Sequence, residues 1–438
     1  MFFDRGMRED AVWPEGVPAL KIAIIGAGPS GLATAIALMK RLHRPFEAWL
    51  VDAEDAPGAF GNGAAGLVPT TEPARDLSVV PERPDDFADW LKINWLAGGT
   101  VTTLCRPQDL HAPRALFRDY VMARFGEVMA LRKDVRIRTF RGHVRHVDAG
   151  GATPRLIFRD GECADFDHVF VATGFGITQR EAASWQAAHS VAERLSGLEN
   201  PMPLTLVGNG PRLAAILLHL RANGFAGEIH IAAASGRLPQ PHARPQSGLA
   251  FGEPPASRSL QEAFRYVRRE CRSAEARGGG QWQAVVDAAS ARLAVVWRNL
   301  PQAERNRYRR HLLRLHRHFS IRLAPDVHRR LAAEIETGRT RFVSPRASKS
   351  ADETVIDCRE VPSARALAGL LSRDAAALSI DDGGYLAHHG TPIPAISVVG
   401  AIASSLRPGP FTFAETVRQA YRAVLAATPH GLARTSER

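Results

Sequence analysis

The 438-residue chain is 45% hydrophobic and 23% charged, the composition of a soluble globular protein long enough for two or three domains. Its formal net charge of +11 raises the question of a nucleic-acid or membrane partner, but Arg is scattered through every segment among Asp and Glu rather than gathered in a tail. Cys105, Cys163, Cys271 and Cys358 lie far apart with no CxxC pair, which argues against a disulfide framework, a metal site and a redox dithiol.

In chain order, residues 1–19 predict a flexible leader. MFFDRGMREDAVWPEGVPAL carries acids, Trp and two prolines and does not read as a signal peptide. No apolar run reaches the roughly 20 residues that span a bilayer, so a cytoplasmic protein without a membrane partner is the expectation. Lys21–Ile25 predicts a strand, Gly26–Ser30 a turn, Gly31–Arg41 a helix rich in Ala and Leu, and Phe46–Val51 a second strand. Such a βαβ unit calls for a parallel sheet. Ala53–Pro81 is loop-rich, and helices are predicted near Asp85–Leu96 and Pro113–Leu131. Strands follow at Val135–Phe140, Val144–Asp148, Arg155–Arg159 and His168–Ala172.

A second βαβ start comes at Leu204–Val207, with Gly208 and Gly210 in its turn, a helix over Arg212–Asn223 and a strand over Glu228–Ala232. Ser257–Ile335 is mostly helical, broken at Gly278–Gly280, and its basic stretch from Arg305 to Arg330 reads as a solvated helical face. No nucleic-acid partner is therefore expected. Strands at Thr354–Ile356 and Ile396–Val399 and a helix over Phe413–Ala427 close the chain. The expected fold is α/β, with two dinucleotide-binding, Rossmann-like domains. The first is discontinuous, over 20–198 and 346–428; the second covers 199–345, with a helical insertion over 255–340.

The chemistry is most legible in KIAIIGAGPSGLATAIAL, Lys21–Leu38. A pyrophosphate needs backbone N–H groups at a helix N-terminus. Gly26 permits the tight turn, Gly28 lets phosphates approach past Pro29 and Ser30, and Gly31 brings the helix close to the strand. The second strand ends in WLVDAED, placing Asp52 where a carboxylate accepts the adenosine ribose hydroxyls. This motif suits NAD or FAD alike.

Six stretches in order, IGAGPSGLATAIAL, PDDFADWL, APRALFRDYV, VFVATGF, LTLVGNGPRLAAILLHLRANGFAGEIH and QWQAVVDAASARLAVVWRNLPQAERNRYRRHL, resemble FAD/NAD(P)-binding proteins that include FAD-dependent urate hydroxylase-like enzymes. More distantly they look like the flavin N-hydroxylases. The resemblance spans most of residues 20–425. It implies FAD as cofactor, with Ala172, Thr173 and Gly174 passing close to the dinucleotide and the Val144 backbone meeting the adenine. It implies NADPH or NADH at Gly208 and Gly210, O₂ as co-substrate and a small-molecule substrate.

Two departures stand out. IAAASGR leaves only Arg237 near the place of a 2′-phosphate partner, and VIDCREVP replaces a cysteine–threonine–glycine turn. His316, Arg317 and His318 lie just upstream of the expected position of a histidine–arginine–histidine cluster.

Gly400, at the end of the late strand, and Thr412, which forms a capping-box pair with Glu415 at the last helix, are candidates to face the flavin. His111, as an acid–base group, and Arg114, for a phosphate or anionic substrate, are the candidate catalytic residues; His388 and His389 read as loop residues. The leading expectation is an NAD(P)H-dependent FAD monooxygenase that hydroxylates a small molecule. The alternatives are an FAD-dependent dehydrogenase or oxidase with a vestigial nicotinamide domain, and a non-catalytic flavin-binding regulatory protein.

Overall fold

The computed structural model describes residues 19–53, 63–96, 106–175, 180–195, 202–243, 259–277, 282–345, 354–360, 364–381, 383–406 and 412–427. The leader to residue 18, the triple-glycine break and the Pro-Gly-Pro loop lie outside them.

From β1 (Leu20–Ile25) the chain runs through α1 (Pro29–Arg41) to β2 (Phe46–Asp52), then through the short helices α2 (Gly63–Leu67) and α3 (Asp86–Leu91) to α4 (Arg114–Leu131). After β3 (Val135–Arg141), a small antiparallel sheet forms from β4 (Val144–Asp148), β5 (Arg155–Phe158) and β6 (Cys163–Asp165), before β7 (His168–Val171). Next come α5 (Arg180–Leu195), β8 (Leu204–Val207), α6 (Pro211–Ala222), β9 (Ile229–Ala232) and β10 (Gln240–Pro241). The helical region holds α7 (Leu260–Ala276), α8 (Trp282–Asn299), α9 (Gln302–His311) and α10 (Leu313–Ser320), and ends at β11 (Arg322–Leu323), which pairs with β10. There follow α11 (Pro325–Glu336), β12 (Thr340–Val343) and β13 (Thr354–Asp357). Last are α12 (Ala364–Leu370), β14 (Leu378–Ile380), β15 (Tyr385–His388), β16 (Thr391–Val398) and α13 (Phe413–Ala427).

Two parallel sheets organise these elements among the described residues. The first has the order β14-β15-β16-β7-β1-β2-β3, parallel from β16 to β3, and the second β12-β9-β8-β13. In both, the strand that opens the unit lies between the strand its helix leads to and one arriving from much later. That is the strand arrangement that leaves a crevice at the carboxyl ends of the strands. β7, HVFV, is buried along its whole length, as a central parallel strand covered on both faces must be. α1 is buried at every residue from Gly31 to Met39 because α4 and α13 close over it; Phe117, Tyr120, Val121, Val417, Tyr421 and Val424 share its core. Lys40 and Arg41 in its last turn complement the helix dipole.

Strand pairing ties distant segments together. β13 joins β8 through Thr354↔Leu204 to Asp357↔Val207, and α5 packs its Ala188, Val191 and Ala192 into the core of the second sheet. A parallel strand's partner is chosen by tertiary burial, which a run as short as TVID does not announce. Among the described residues no helix is long and apolar enough to cross a membrane.

Candidate functional site

β1 delivers the chain to Gly26, whose φ of 107° suits only glycine. A Cβ on Gly26 would stand 2.6 Å from the Ala172 carbonyl oxygen, and one on Gly31 would lie 1.8 Å from the Gly26 carbonyl oxygen. These two glycines close the turn on itself. Gly28 differs: it is extended at φ −75°, and nothing lies within 4 Å of where its Cβ would be.

Pro29 fills the first helical position and has no N–H, so Ser30 and Gly31 carry the first amides of α1. No acidic residue stands in that first turn. Among the described residues no side chain caps the positive end of this helix dipole, which is what binding a phosphate requires. Thr173 Oγ1, beside the turn, is buried with no hydrogen-bond partner among the described residues, a polar atom that a ligand would satisfy. Asp52 Oδ2 accepts the Ala27 N–H at 2.6 Å and ties the end of β2 to the turn.

Gly400, at φ 83°, presses on Ser30, where a Cβ would come within 2.4 Å of Ser30 Oγ. Val144 pairs with Phe158 in the small sheet and packs on the core beneath Ile25 and Val51. Gly26, Gly28, Pro29, Ser30, Gly31, Asp52, Ala172, Thr173, Gly174 and Gly400 thus lie at or next to the carboxyl ends of neighbouring strands of the first sheet, and the chemistry of the turn fits a dinucleotide diphosphate.

Thr412 caps α13 as its residue type predicts, with Oγ1 accepting the Glu415 N–H at 3.2 Å, while the Glu415 carboxylate pairs with Arg418 at 3.0 Å. The amino end of α13 also meets a second carboxylate. Both Glu72 oxygens accept the Phe413 N–H, at 2.9 and 3.1 Å. Burial pushes the Glu72 carboxyl up to about 8; the Phe413 bond opposes the shift, and Asp76 and Asp287 add to it.

Glu72, one of two acids in the loop TTEPARD, carries no pattern in the sequence that singles it out. Its raised pKa makes a testable sign. The folded chain holds a proton on Glu72 that an unfolded carboxyl, near 4.5, releases. The group's stabilising contribution is therefore full below about 4.5 and lost as pH rises through about 8. Between pH 5 and 9 the melting temperature of Glu72→Gln is expected to fall less than that of the wild-type chain; equal slopes would contradict this.

Beside Glu72 the two units meet. His111 Nδ1 lies 3.0 Å from the Thr70 carbonyl oxygen, and its ring centroid is 5.4 Å from that of His242, which follows β10. Desolvation, with nearby His111, Arg322 and Arg75, pushes His242 down to about 3, and His111 is lowered mainly by burial. Burial thus shifts both rings toward the neutral form. Arg322, 5% exposed, forms a two-pronged pair with Asp287 at 2.8 Å for each contact. His242 Nε2 is buried without a partner.

Of the two candidate catalytic residues, His111 lies at this junction. Arg114 opens α4, its N–H held by the Val68 carbonyl at 2.9 Å. His242 was missed because one loop histidine among sixteen carries no pattern of its own. His316 lies away from it, between Tyr308 and Ser290 Oγ, the latter at 2.6 Å. His388 ends β15, and His389 follows in the turn to β16.

The second turn repeats the first with one difference. Gly208 has φ 136°, and its Cβ would sit 3.2 Å from the Cys358 carbonyl. Asn209 Nδ2 ties the turn to Ser235 Oγ at 2.7 Å and to the Arg237 carbonyl at 2.8 Å, while the Arg237 side chain is exposed. The position against Gly210 is filled, however. A Cβ there would lie 2.8 Å from Glu360 Oε2, the atom that accepts the Arg212 N–H at 3.0 Å. As it stands, this turn does not suit a diphosphate.

Residues 23–176 match the profile of a family described as FAD-NAD(P)-binding. None of the curated proteins matches the chain. The solved structure of reduced-form ornithine hydroxylase from Pseudomonas aeruginosa is similar with a TM-score of 0.55 at 16% identity, over 94% of this chain and 100% of that one. Ornithine N-hydroxylase from Kutzneria sp. 744, solved with reduced FAD, NADP+ and L-ornithine, gives a TM-score of 0.53 at 11% identity, over 94% of this chain and 99% of that one. At these identities the likeness is one of fold, the two-sheet Rossmann-like architecture described above.

Proposed function

We propose that this chain is an FAD-dependent oxidoreductase acting as an NAD(P)H-dependent monooxygenase on a small-molecule substrate. The observation that carries the reading is the bare amino end of α1, closed by Gly26 and Gly31 and left open at Gly28. There the Ser30 and Gly31 amides would hold the diphosphate, Thr173 Oγ1 would gain a partner, and Asp52 and Val144 would serve the ribose and adenine. When bound, FAD supplies hydride acceptance and oxygen activation.

Toward that chemistry the chain contributes the junction between its two units. Neutral His111 and His242 and the Glu72 carboxyl stand there to hold or move a proton, and the interlocked Arg322–Asp287 pair keeps α8 and β11 in place to exclude water. The two-sheet fold shared with the ornithine hydroxylases supports the reading as a likeness of architecture.

A second reading, a dehydrogenase or oxidase with a vestigial nicotinamide fold, is favoured by Glu360 at the second turn. Mixing FAD-loaded protein with NADPH or NADH under nitrogen separates the two. Bleaching of the flavin absorbance is expected. Full absorbance with either nicotinamide at saturating concentration and with candidate substrates present would sink the monooxygenase.

A further inference from the structure

The two nucleotide folds share one backbone hydrogen bond at matching positions. In the first, the Ala172 N–H donates to the Ile25 carbonyl at 2.9 Å; in the second, the Cys358 N–H donates to the Val207 carbonyl at 2.8 Å. Ile25 precedes Gly26, and Val207 precedes Gly208, so Ala172-Thr173-Gly174 and Cys358-Arg359-Glu360 are the same three residues of a repeated design. In the first fold this segment ends in Gly174, at φ 62° with nothing within 4 Å of its Cβ position, and the turn beside it is left bare. In the second it ends in a glutamate.

Arg359 is turned away and pairs with Asp357 at 2.7 and 2.9 Å. Glu360 is turned in. Pro211 has no N–H, so Arg212 carries the first amide of α6, and Glu360 Oε2 takes it at 3.0 Å. A carboxylate on a helix amino end uses the same donor and the same partial charge that a phosphate would.

We infer that Glu360 is a built-in occupant of the nicotinamide-dinucleotide site, its carboxylate standing where the cofactor's diphosphate would bind, so that NADPH or NADH must displace it. The inference rests on the reading of the second fold as the nicotinamide site. An arriving diphosphate meets a donor already used and a like charge within hydrogen-bond reach of it. Its apparent affinity is reduced by the fraction of chains in which Glu360 has swung out. Glu360 follows β13 in the chain.

The test is equilibrium titration of NADPH and of NADH into FAD-loaded wild type, Glu360→Gln and Glu360→Ala, with flavin content measured in each sample. Glu360→Gln keeps an acceptor for the Arg212 amide and so preserves the cap while removing the charge. Both variants are expected to bind at least one nicotinamide roughly tenfold or more tightly than wild type. Unchanged or weaker binding in both variants, or no binding by any of the three proteins, overturns the inference. A cap of purely structural value would leave binding unchanged or weaken it. Flavin content reads the first site separately: full FAD with unaltered nicotinamide affinity sinks this inference alone, whereas absence of FAD sinks the proposed function itself.

Discussion

Replacing Gly31 with alanine is expected to destabilise the folded chain by about 3 kcal/mol or more and to leave it without flavin. The added Cβ would lie 1.8 Å from the Gly26 carbonyl oxygen and 2.9 Å from its carbon, both backbone atoms with no rotamer to change. Relief requires α1 to move off β1. That helix is buried from Gly31 to Met39 between the sheet, α4 and α13, so moving it opens the core it shares with them. Urea denaturation with flavin content measured alongside checks this; a variant with the wild-type midpoint and flavin content would show that the turn is looser than described.

Gly28→Val is expected to separate ligand from fold. Nothing lies within 4 Å of the position its Cβ takes, and φ −75° with extended ψ is backbone that valine adopts readily. Stability should change by less than about 1 kcal/mol, the range of ordinary surface substitutions. Flavin affinity should fall about a hundredfold or more, near 2.8 kcal/mol at 1.4 kcal/mol per decade, because the side chain stands where the diphosphate approaches. Retention of full flavin by a folded Gly28→Val chain would mean that the diphosphate lies elsewhere.

The contrast between these glycines shows how far the sequence carries. Three glycines at fixed spacing after an apolar strand gave the first site its position, because each answers a backbone requirement that few other residues meet. Leu204–Val207 and Phe413–Ala427 were readable to the residue, since an apolar run and an apolar helical face mark their own ends. The β14–β15 hairpin was not, being short and mixed in polarity, and neither was the pairing of β13 with β8, which tertiary burial decides.

The junction was still less legible. Glu72, His111, His242 and Arg322 come from four segments, and their juxtaposition exists only once the units pack. The amino end of α13 is met by Glu72, a residue some 340 positions earlier in the chain, a contact that no local pattern announces. VIDCREVP was visibly irregular in the sequence. That its glutamate falls on the Arg212 amide required the strand register that sets 358–360 against Gly208.

The proposed redox chemistry depends on the amino end of α1 holding a flavin dinucleotide through its amides. The direct measurement is titration of FAD into purified chain freed of bound nucleotide, followed by the visible absorbance of the protein fraction. Saturation at one FAD per chain, with the flavin retained through gel filtration, is the result this account requires. A colourless chain that takes up no FAD while its fold is intact would contradict it.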